Sequence, residues 1–228
     1  MRLGILGGTF DPIHLGHLRT AEEIGQELRL EKVYLIPSAS PPHKTKEPVT
    51  TFHHRLAMVR LAVGDSPLLE ALDLEGRRSG FSYSIETLKE FHTIFGPDTD
   101  LFFIIGIDAF LEIRSWKDYR HLFDYAHFVV IQRPGFKPED LKTLISDLGS
   151  KLQKSGRSHV FIMPSGKSLI LTVPTLMDIS STRIRKMVMQ GKSIRFLVPD
   201  LVRDFIIGKG LYISNANSRQ GKTLSQDH

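Results

Sequence analysis

The sequence of 228 residues contains no cysteine. Disulfide bonds, thiolate metal sites and cysteine nucleophiles are therefore excluded. A cysteine-free composition agrees with a reducing compartment, and we predict a cytoplasmic location. The length suits one α/β domain and is ample for a full hydrophobic core.

The sequence also lacks an apolar run long enough to cross a bilayer. Its longest strongly apolar stretch, residues 101–107, is far shorter than the roughly 20 residues that a spanning helix needs. The first residues, Met1-Arg2-Leu3-Gly4, have no signal-peptide architecture and are expected to lead directly into a core strand. We therefore predict no membrane partner.

Basic residues are in modest excess, but they form no massed run. The formal net charge is +5, and charged residues make up 24% of the chain. Such a balance is compatible with nucleic-acid binding, with attraction of polyanionic small molecules such as nucleotides, or with simple solubility. Because the lysines and arginines are spread along the chain, we predict no nucleic-acid partner.

Strand-like and helix-like apolar patterns alternate along the whole chain. Strands are predicted at residues 2–6, 32–36, 68–72, 100–107, 127–132, 160–163 and 169–173. Helices are predicted at residues 15–28, 52–63, 84–95, 138–153, 181–190 and 200–207. Ser82 or Ser84 is the expected N-cap of the third helix.

This alternation predicts the α/β fold class, with a Rossmann-like, doubly wound, mainly parallel sheet, helices on both faces and a small C-terminal helical part. Residues 1–213 are expected to form a single domain, and the polar residues 214–228 a disordered tail. Sheets of this kind bind ligands at the carboxyl ends of their strands, near the point where the strand order reverses. The functional site is therefore expected in the loops that follow the strands.

The turn after the first strand is the most informative stretch. Gly7 and Gly8 allow a tight turn and a close approach of a ligand to the backbone. A helix is predicted a few residues later, and a helix N-terminus after a glycine turn is a ready site for phosphate. His14 and His17 are three residues apart at this helix start and are expected to face the same pocket.

Three interpretations of this histidine pair remain open. A metal site is the weakest, because the four-residue spacing and the adjacent glutamate of a zincin helix are absent and no third ligand is visible nearby. Structural histidines that cap the helix are the plain alternative. As phosphate donors, imidazole N–H groups would hydrogen-bond the α-phosphate of a nucleotide and stabilise the charge that builds there in the transition state.

Two familiar phosphate-binding motifs are missing. Gly166-Lys167-Ser168 resembles the end of a P-loop, but Phe161 occupies the position of the required earlier glycine. No Gly-x-Gly-x-x-Gly pattern follows a predicted strand. A P-loop kinase and a hydride-transfer dinucleotide enzyme are therefore disfavoured.

Two motifs lie near opposite ends of the chain. The first is Gly8-Thr9-Phe10-Asp11-Pro12 followed by His14-x-Gly16-His17, and the second is Ile179-Ser180-Ser181-Thr182-x-Ile184-Arg185. Together they resemble the two signatures of the adenylyltransferase branch of the nucleotidylyl transferase superfamily. Both motifs, in this order and on a βα framework, are a strong signal.

The resemblance implies that the two motifs bind ATP. The implied ATP-binding residues are Gly7, Gly8, Thr9, Phe10, His14, His17, Ile179, Ser180, Ser181, Thr182 and Arg185. Physical chemistry supports the second motif independently, because hydroxyl and N–H groups at a helix start and the fork of Arg185 suit phosphate oxygens. Taken alone, that motif is also compatible with an ordinary N-cap followed by a solvated basic face.

Five further features lie between the two motifs. They are Pro41-Pro42-His43-Lys44, Ser82-Tyr83-Ser84 with Thr87-Leu88, Ile105-Gly106-x-Asp108, Trp116 and Arg133-Pro134-Gly135. These features are similar to those of the bacterial nicotinate-mononucleotide adenylyltransferase family. This resemblance covers residues 1–213 and implies that ATP and nicotinate mononucleotide react to deamido-NAD and pyrophosphate, a step of NAD biosynthesis. The alternatives are nicotinamide mononucleotide or another phosphate acceptor, or a non-catalytic nucleotide- or nucleic-acid-binding module.

The same resemblance implies mononucleotide-binding roles for Lys44, Tyr83, Ser84, Asp108, Trp116 and Arg133. Trp116 follows a strand end in polar surroundings and is expected to stack on the nicotinate ring, although a single tryptophan is usually a core residue. The nicotinate carboxylate is expected at backbone N–H groups near Tyr83 and Ser84. Lys117 stands where some members have an aromatic residue, so a second stacking ring is not expected.

The other implied acceptor residues have polar roles. Asp108 follows the most apolar strand and would accept hydrogen bonds from ribose hydroxyls, or else cap the next helix. Lys44 and Arg133 lie in predicted loops and would contact phosphate.

The expected mechanism is direct in-line attack of the mononucleotide phosphate on the α-phosphorus of ATP. It needs no covalent nucleophile, and an already ionised phosphate needs no general base. The implied catalytic residues, which would hold the phosphates in place, are His14, His17, Lys44 and Arg185. Mg²⁺ is expected with ATP, bridging pyrophosphate oxygens and keeping mainly water ligands, so no protein metal ligand is predicted.

Overall fold

A computed structural model of the chain describes residues 1–40, 49–64, 66–78, 80–132, 139–149, 151–155 and 158–213. Several predicted features lie outside the described residues. They are Pro41-Pro42-His43-Lys44, Arg133-Pro134-Gly135 and the predicted tail at 214–228.

The described ranges contain eight strands and eight α-helices. The strands are β1 (Arg2–Gly8), β2 (Lys32–Pro37), β3 (Leu69–Ala71), β4 (Asp100–Gly106), β5 (His127–Ile131), β6 (Lys151–Ser155), β7 (Ser158–Ile162) and β8 (Ser168–Thr172). The helices are α1 (Leu15–Glu27), α2 (Phe52–Val63), α3 (Ser84–Phe95), α4 (Ile107–Leu111), α5 (Leu122–Tyr125), α6 (Glu139–Asp147), α7 (Ser181–Met189) and α8 (Asp200–Gly208). None of these helices combines the length and the hydrophobicity that crossing a membrane requires.

The eight strands form one sheet in the order β3-β2-β1-β4-β5-β8-β7-β6. The first six in this order run parallel, and β7 and β6 complete one edge in antiparallel pairing. The chain moves outward from β1 through β2 to β3 and then crosses to β4, so the strand order reverses between β1 and β4. The predicted doubly wound, mainly parallel sheet is confirmed.

Helices cover both faces of the sheet because the central strands send alternate side chains into two separate cores. Ile5 and Phe103 pack in one core with residues of α3, α4, α5 and α6. Phe102 and Ile104 pack in the other core with residues of α1, α2, α7 and α8. A strand buried on both faces has a continuous apolar sequence, which is why residues 101–105 predict β4 so clearly. The C-terminal helices α7 and α8 belong to the second core.

One predicted helix is too long. A helix is predicted over residues 138–153, but α6 ends at Asp147 and Lys151–Ser155 form strand β6. Gly149 has a φ of 72°, a left-handed conformation that favours glycine and commonly ends helices. The segment after it pairs with β7 as a hairpin, and this pairing takes precedence over helical periodicity.

The predicted N-cap of α3 is wrong as well. Tyr83 is the N-cap residue, and its side chain makes no capping hydrogen bond. The hydroxyl of Ser82 instead accepts hydrogen bonds from the backbone N–H groups of Ala39 and Ser40 at 3.1 and 3.2 Å. Ser82 therefore ties the start of α3 to the loop after β2, and Ser84 is the first residue of the helix.

Candidate active site

A cavity of about 850 Å³ opens at the carboxyl ends of the parallel strands. The ends of β1 and β4 line it, and so do residues from the first turns of α1, α3 and α7. The cavity thus lies at the reversal of strand order, as predicted for this class of sheet. Its volume falls in the range of roughly 300–1,000 Å³ that is usual for small-molecule sites.

Most of the predicted site residues line this one cavity. Those that do are Gly7, Gly8, Thr9, His14, His17, Tyr83, Ser84, Trp116, Ile179, Ser180, Ser181, Thr182 and Arg185. The fold therefore brings the two motifs from opposite ends of the chain together with the aromatic features between them.

Phe10 and Asp108 are described but do not line the cavity. The side chain of Phe10 is only 2% exposed, and its ring meets the ring of His17 edge-on with centroids 5.1 Å apart. The side chain of Phe10 therefore supports the loop from the core, and a contact between ATP and Phe10 stays a prediction. Asp108 is exposed in the first turn of α4. It does not cap this helix, because the N-cap residue is Gly106.

Two hydrogen bonds join the first motif to the second. The hydroxyl of Ser181 donates to the carbonyl oxygen of Pro12 at 2.8 Å. One nitrogen of Arg185, Nη1, donates to the carbonyl oxygen of Asp11 at 2.8 Å. The other terminal nitrogen contacts the hydroxyl of Thr182 at 3.4 Å. The start of α7 and the turn before α1 therefore form one continuous wall.

Ser180 caps a helix, which is the alternative interpretation of the second motif. It is the N-cap of α7, and its hydroxyl accepts a hydrogen bond from the backbone N–H of Arg183 at 3.3 Å. A helix capped in this way begins at the cavity with its positive dipole end, which favours anions. Capping and phosphate binding are thus compatible roles for the same segment.

The two histidines stack on each other at the start of α1. Their ring centroids lie 3.6 Å apart, with 23° between the ring planes. His14 is the N-cap residue, and its backbone N–H donates to Nδ1 of His17 at 3.3 Å. Because Nδ1 of His17 accepts this bond, the neutral ring carries its proton on Nε2. His17 therefore caps the helix with one nitrogen and is a donor with the other.

His14 lies deeper than His17 and is neutral at physiological pH. The residue is 6% exposed, and burial lowers the pKa of its imidazole to about 4. Its Nδ1 is buried and makes no hydrogen bond to the described part of the chain. A buried polar atom without a partner costs free energy, and a ligand that supplied one would recover that cost.

The absence of a side chain at Gly16 leaves room for the imidazole ring of His14. A Cβ atom at position 16 would lie 3.1 Å from Nδ1 and 3.2 Å from Cε1 of His14, closer than ordinary van der Waals contact. Gly16 is the second residue of α1, so its conformation is open to other residues. The motif needs glycine here for the placement of the histidine and not for an unusual backbone.

We expect Gly16→Ala to lower turnover roughly 10–100-fold, because the added methyl displaces the His14 ring and small misplacements at a reacting site are costly. Stability should be unchanged or slightly raised, since alanine is favoured over glycine inside a helix by about 0.5–1 kcal/mol. Steady-state kinetics and thermal unfolding measure the two effects. The matched control is Gly208→Ala in α8, where a Cβ would meet nothing within 4 Å. Equal turnover in the two variants would refute this role of Gly16.

The other end of the cavity combines an aromatic face with a helix start. Trp116 lines the cavity, and its ring packs edge-on against Phe103 of β4 with centroids 6.3 Å apart. Tyr83 and Ser84 lie at the N-terminus of α3, a helix of 12 residues whose dipole favours an anion there. An aromatic ring and a helix start that favours an anion thus line the same cavity.

Lys117 places a positive charge at this end. Its ammonium group donates to Glu86 at 3.0 Å and lies 4.8 Å from the ring centroid of Tyr83. The hydrogen bond to Glu86 raises the pKa of Lys117, so the group stays charged. Lys117 also lines the cavity.

Arg55 is a supporting residue that sequence reasoning misses. It is 1% exposed, and its guanidinium donates to four carbonyl oxygens. The acceptors are Thr9 at 2.8 Å, Ser38 at 2.8 Å, Ala39 at 3.4 Å and Thr50 at 2.8 Å. These residues belong to the loops after β1 and β2 and to the segment before α2, so Arg55 fixes the shape of the cavity floor. Helical periodicity could have indicated its burial, because Arg55 lies on the same buried face of α2 as Met58 and Val59.

The segment between β8 and α7 also escapes prediction. The cavity-lining residues of this segment that precede the second motif are Pro174, Thr175, Leu176 and Met177. Leu176 and Met177 are 51% and 39% exposed. The backbone N–H of Thr175 donates to Glu23 of α1 at 3.0 Å, which ties the segment to the histidine-bearing helix. Exposed apolar side chains in a cavity wall suit a flat heteroaromatic ring.

Comparisons with known proteins agree with this geometry. The family model described as cytidylyltransferase-like matches residues 5–187, which include both motifs. A protein of Geotalea daltonii named "Probable nicotinate-nucleotide adenylyltransferase" is 45% identical over 213 residues, which are 93% of this chain and 98% of that protein. A protein of Desulfatibacillum aliphaticivorans with the same name is 45% identical over 93% of this chain and 100% of its own length.

The fold recurs among solved structures. Plasmodium falciparum nicotinic acid mononucleotide adenylyltransferase complexed with NaAD superimposes with a TM-score of 0.70 over 92% of this chain and 97% of that chain, at 23% identity. An identity of 23% supports a shared fold only. The relatives at 45% identity show to which family the chain belongs. The chain belongs to the cytidylyltransferase-like proteins and, among them, to the nicotinate-nucleotide adenylyltransferase family of nucleotidyltransferases.

Proposed function

We propose that this chain transfers the adenylyl group of ATP to nicotinate mononucleotide, giving deamido-NAD and pyrophosphate in NAD biosynthesis. The observation that carries the proposal is the docking of the two motifs. Ser181 and Arg185 bond to the turn before α1, so the histidine pair and the arginine surround one cavity. The names of full-length relatives at 45% identity support the same activity. A cytoplasmic location, predicted from the cysteine-free composition, is part of this proposal.

ATP would occupy the half of the cavity between α1, α7 and the segment at 174–177. The Nε2–H group of His17 and the guanidinium of Arg185 are donors for phosphate oxygens, and the starts of α1 and α7 add favourable dipoles. Leu176 and Met177 would cover the adenine ring, since both are apolar and exposed in the cavity wall.

Nicotinate mononucleotide would occupy the half between Trp116 and the start of α3. Its ring would stack on Trp116, and its carboxylate would face the first turn of α3 near Tyr83 and Ser84. Asp108 would need to approach from beside the cavity to reach a ribose. The phosphate contacts of Lys44 and Arg133 stay predictions, because both residues lie outside the described ranges.

The reaction would proceed by positioning and charge stabilisation. A phosphate oxygen of the mononucleotide forms a bond to the α-phosphorus, the bond from that phosphorus to the bridging oxygen breaks, and pyrophosphate leaves with the electron pair. His17 and Arg185 would donate hydrogen bonds to the α-phosphate as its charge rises. His14 would stay neutral throughout, because burial keeps its pKa near 4.

The chain offers little to a metal ion in its described part. No group of three or more His, Cys, Asp or Glu residues there could hold a cation. The buried carboxylate of Asp11 already accepts hydrogen bonds from Thr50 and Tyr212. Mg²⁺ would enter with ATP and would offset the charge of the pyrophosphate group.

Pyrophosphate release tests the proposal when ATP is supplied with one acceptor at a time. We expect fast release with nicotinate mononucleotide, slow release with nicotinamide mononucleotide, and none with phosphopantetheine or with ATP alone. Faster release with nicotinamide mononucleotide would change the acceptor but keep the chemistry. No release with any acceptor would favour the non-catalytic binding module.

Burial of His14 should also make stability depend on pH. The pKa of its imidazole falls from the ordinary 6.5 to about 4 in the folded chain. Between pH 6.5 and pH 4 the imidazole of His14 is protonated in the unfolded chain but not in the folded chain. The free energy of unfolding therefore falls as pH drops from 6.5 to 4. Above pH 6.5 both states are neutral and the effect vanishes. The shift corresponds to about 3 kcal/mol.

Denaturant unfolding of the wild type and of His14→Asn at pH 7.5 and 4.5 measures this effect. The wild type should lose about 2–3 kcal/mol more than the variant between the two pH values. Burial also lowers the pKa of His127, but that residue is present in both proteins and cancels in the difference. Equal losses would show that His14 does not titrate as its burial requires.

A further inference from the structure

Asp11 is a buried carboxylate of the first motif that lines the cavity proposed to bind ATP. The residue is 4% exposed, and a buried charge needs hydrogen-bond partners. Its Oδ2 accepts a hydrogen bond from the backbone N–H of Thr50 at 3.1 Å, and its Oδ1 accepts one from the hydroxyl of Tyr212 at 2.6 Å. Both carboxylate oxygens are therefore held by protein donors, one of them near the end of the described chain.

The backbone of the same residue holds Arg185. The carbonyl oxygen of Asp11 accepts the hydrogen bond from Nη1 of Arg185 at 2.8 Å. One residue thus connects the hydroxyl of Tyr212 to the guanidinium that is expected to bind phosphate. A shift of the Asp11 side chain would therefore move the carbonyl oxygen that accepts from Arg185, since both groups belong to one residue.

The backbone conformation and the hydroxyl of Tyr212 both favour its hydrogen bond to Asp11. Its φ is 64°, a left-handed conformation that is uncommon for tyrosine and persists only where the surroundings enforce it. Burial, together with the bond to Asp11, raises the pKa of Tyr212, so the hydroxyl remains a donor at any working pH. The residue follows α8 and lies beyond residues 5–187 that the family model matches.

We propose that Tyr212 is a positioning residue for adenylyl transfer, which acts through Asp11 to set the direction of the Arg185 guanidinium. The inference rests on the proposed function and extends it to a residue outside both motifs. The end of the described chain thereby contributes to the geometry of the phosphate site.

The variant Tyr212→Phe tests the proposal, because it removes one oxygen and keeps the ring. We expect kcat to fall about tenfold and ATP affinity to fall several-fold, with the KM for nicotinate mononucleotide close to wild type. The melting temperature should fall by a few degrees, because one oxygen of the buried Asp11 carboxylate loses its donor. The matched control is Tyr119→Phe, which removes a hydroxyl that accepts from Arg120 outside the cavity. Wild-type kcat in Tyr212→Phe, or an equal rise of KM for both substrates, would overturn the proposal.

A double-mutant cycle with Arg185→Ala separates positioning from general support of the fold. If Tyr212 acts through Arg185, loss of its hydroxyl should change kcat and ATP affinity less than about twofold once Arg185 is absent. Calorimetric ATP affinity yields the same cycle for variants whose turnover is too slow to measure. An undiminished effect in the Arg185→Ala background would overturn the proposal. A wild type that releases no pyrophosphate would overturn the proposed function instead.

Discussion

Replacing His17 with asparagine should lower turnover roughly 100–1,000-fold while the fold persists, the usual cost of losing one preorganised donor to a developing charge. The expectation follows from the two nitrogens of the ring. Nδ1 accepts the backbone N–H of His14 at 3.3 Å, and Nε2 carries the proton that would reach the α-phosphate. The amide oxygen of asparagine can replace Nδ1 as the helix cap, so the substitution removes the donor and spares the cap.

Two further variants make this test specific. His53→Asn changes an exposed histidine of α2 that does not line the cavity and should keep wild-type turnover. His17→Gln can place an amide N–H near the position of Nε2 and should recover part of the lost activity. Turnover from pyrophosphate release and thermal unfolding are the two measurements. Near-normal turnover of a folded His17→Asn protein would remove His17 from the mechanism.

Replacing Arg55 with methionine should lower the free energy of unfolding by about 3–5 kcal/mol, as is typical when one partner of a buried, charged hydrogen-bond network is removed. The residue is 1% exposed, and its guanidinium donates to four loop carbonyl oxygens that would lose this donor. Burial lowers the pKa of Arg55, while the nearby carboxylate of Asp11 opposes this shift, so the charge is retained. Methionine fills a similar volume, so the lost hydrogen bonds dominate the effect.

Denaturant unfolding measures this loss against a control in the same helix. Arg60 also lies in α2, but its side chain is 59% exposed and its carboxylate partner, Asp73, is 3.6 Å away. Arg60→Met should therefore cost less than about 1 kcal/mol. Arg55→Lys should be intermediate, because an ammonium group cannot reach all four carbonyl oxygens. A similar small loss in Arg55→Met and Arg60→Met would show that the buried network does not hold the cavity floor.

The fold could be predicted from the sequence wherever local pattern and final packing agree. The continuous apolar run at 101–105 predicts a strand buried on both faces, and β4 is buried in this way. Helices α2 and α3 lie where periodicity predicts them. Strand β6 could not be found, because its pairing with β7 depends on the turn that Gly149 permits and not on its own apolar period.

The site could be predicted where a motif carries its chemistry locally. The glycine turn, the two histidines and the second motif all line the cavity, because each is placed by the start of its own helix. Arg55 and Tyr212 escape prediction since their partners are loop carbonyls and a carboxylate that only the folded chain brings near. Phe10 shows the converse, because the side chain of a motif residue can be buried and support a loop from the core instead of lining the cavity.

The position of an isotopic label tests adenylyl transfer most directly. ATP labelled at its α-phosphorus and, in a parallel reaction, at its γ-phosphorus is incubated with the protein, Mg²⁺ and nicotinate mononucleotide. The predicted result is that the α-label appears in deamido-NAD and the γ-label in pyrophosphate, with one pyrophosphate formed per dinucleotide. Transfer of the γ-label to the mononucleotide, or no labelled dinucleotide at all, would contradict the proposed reaction.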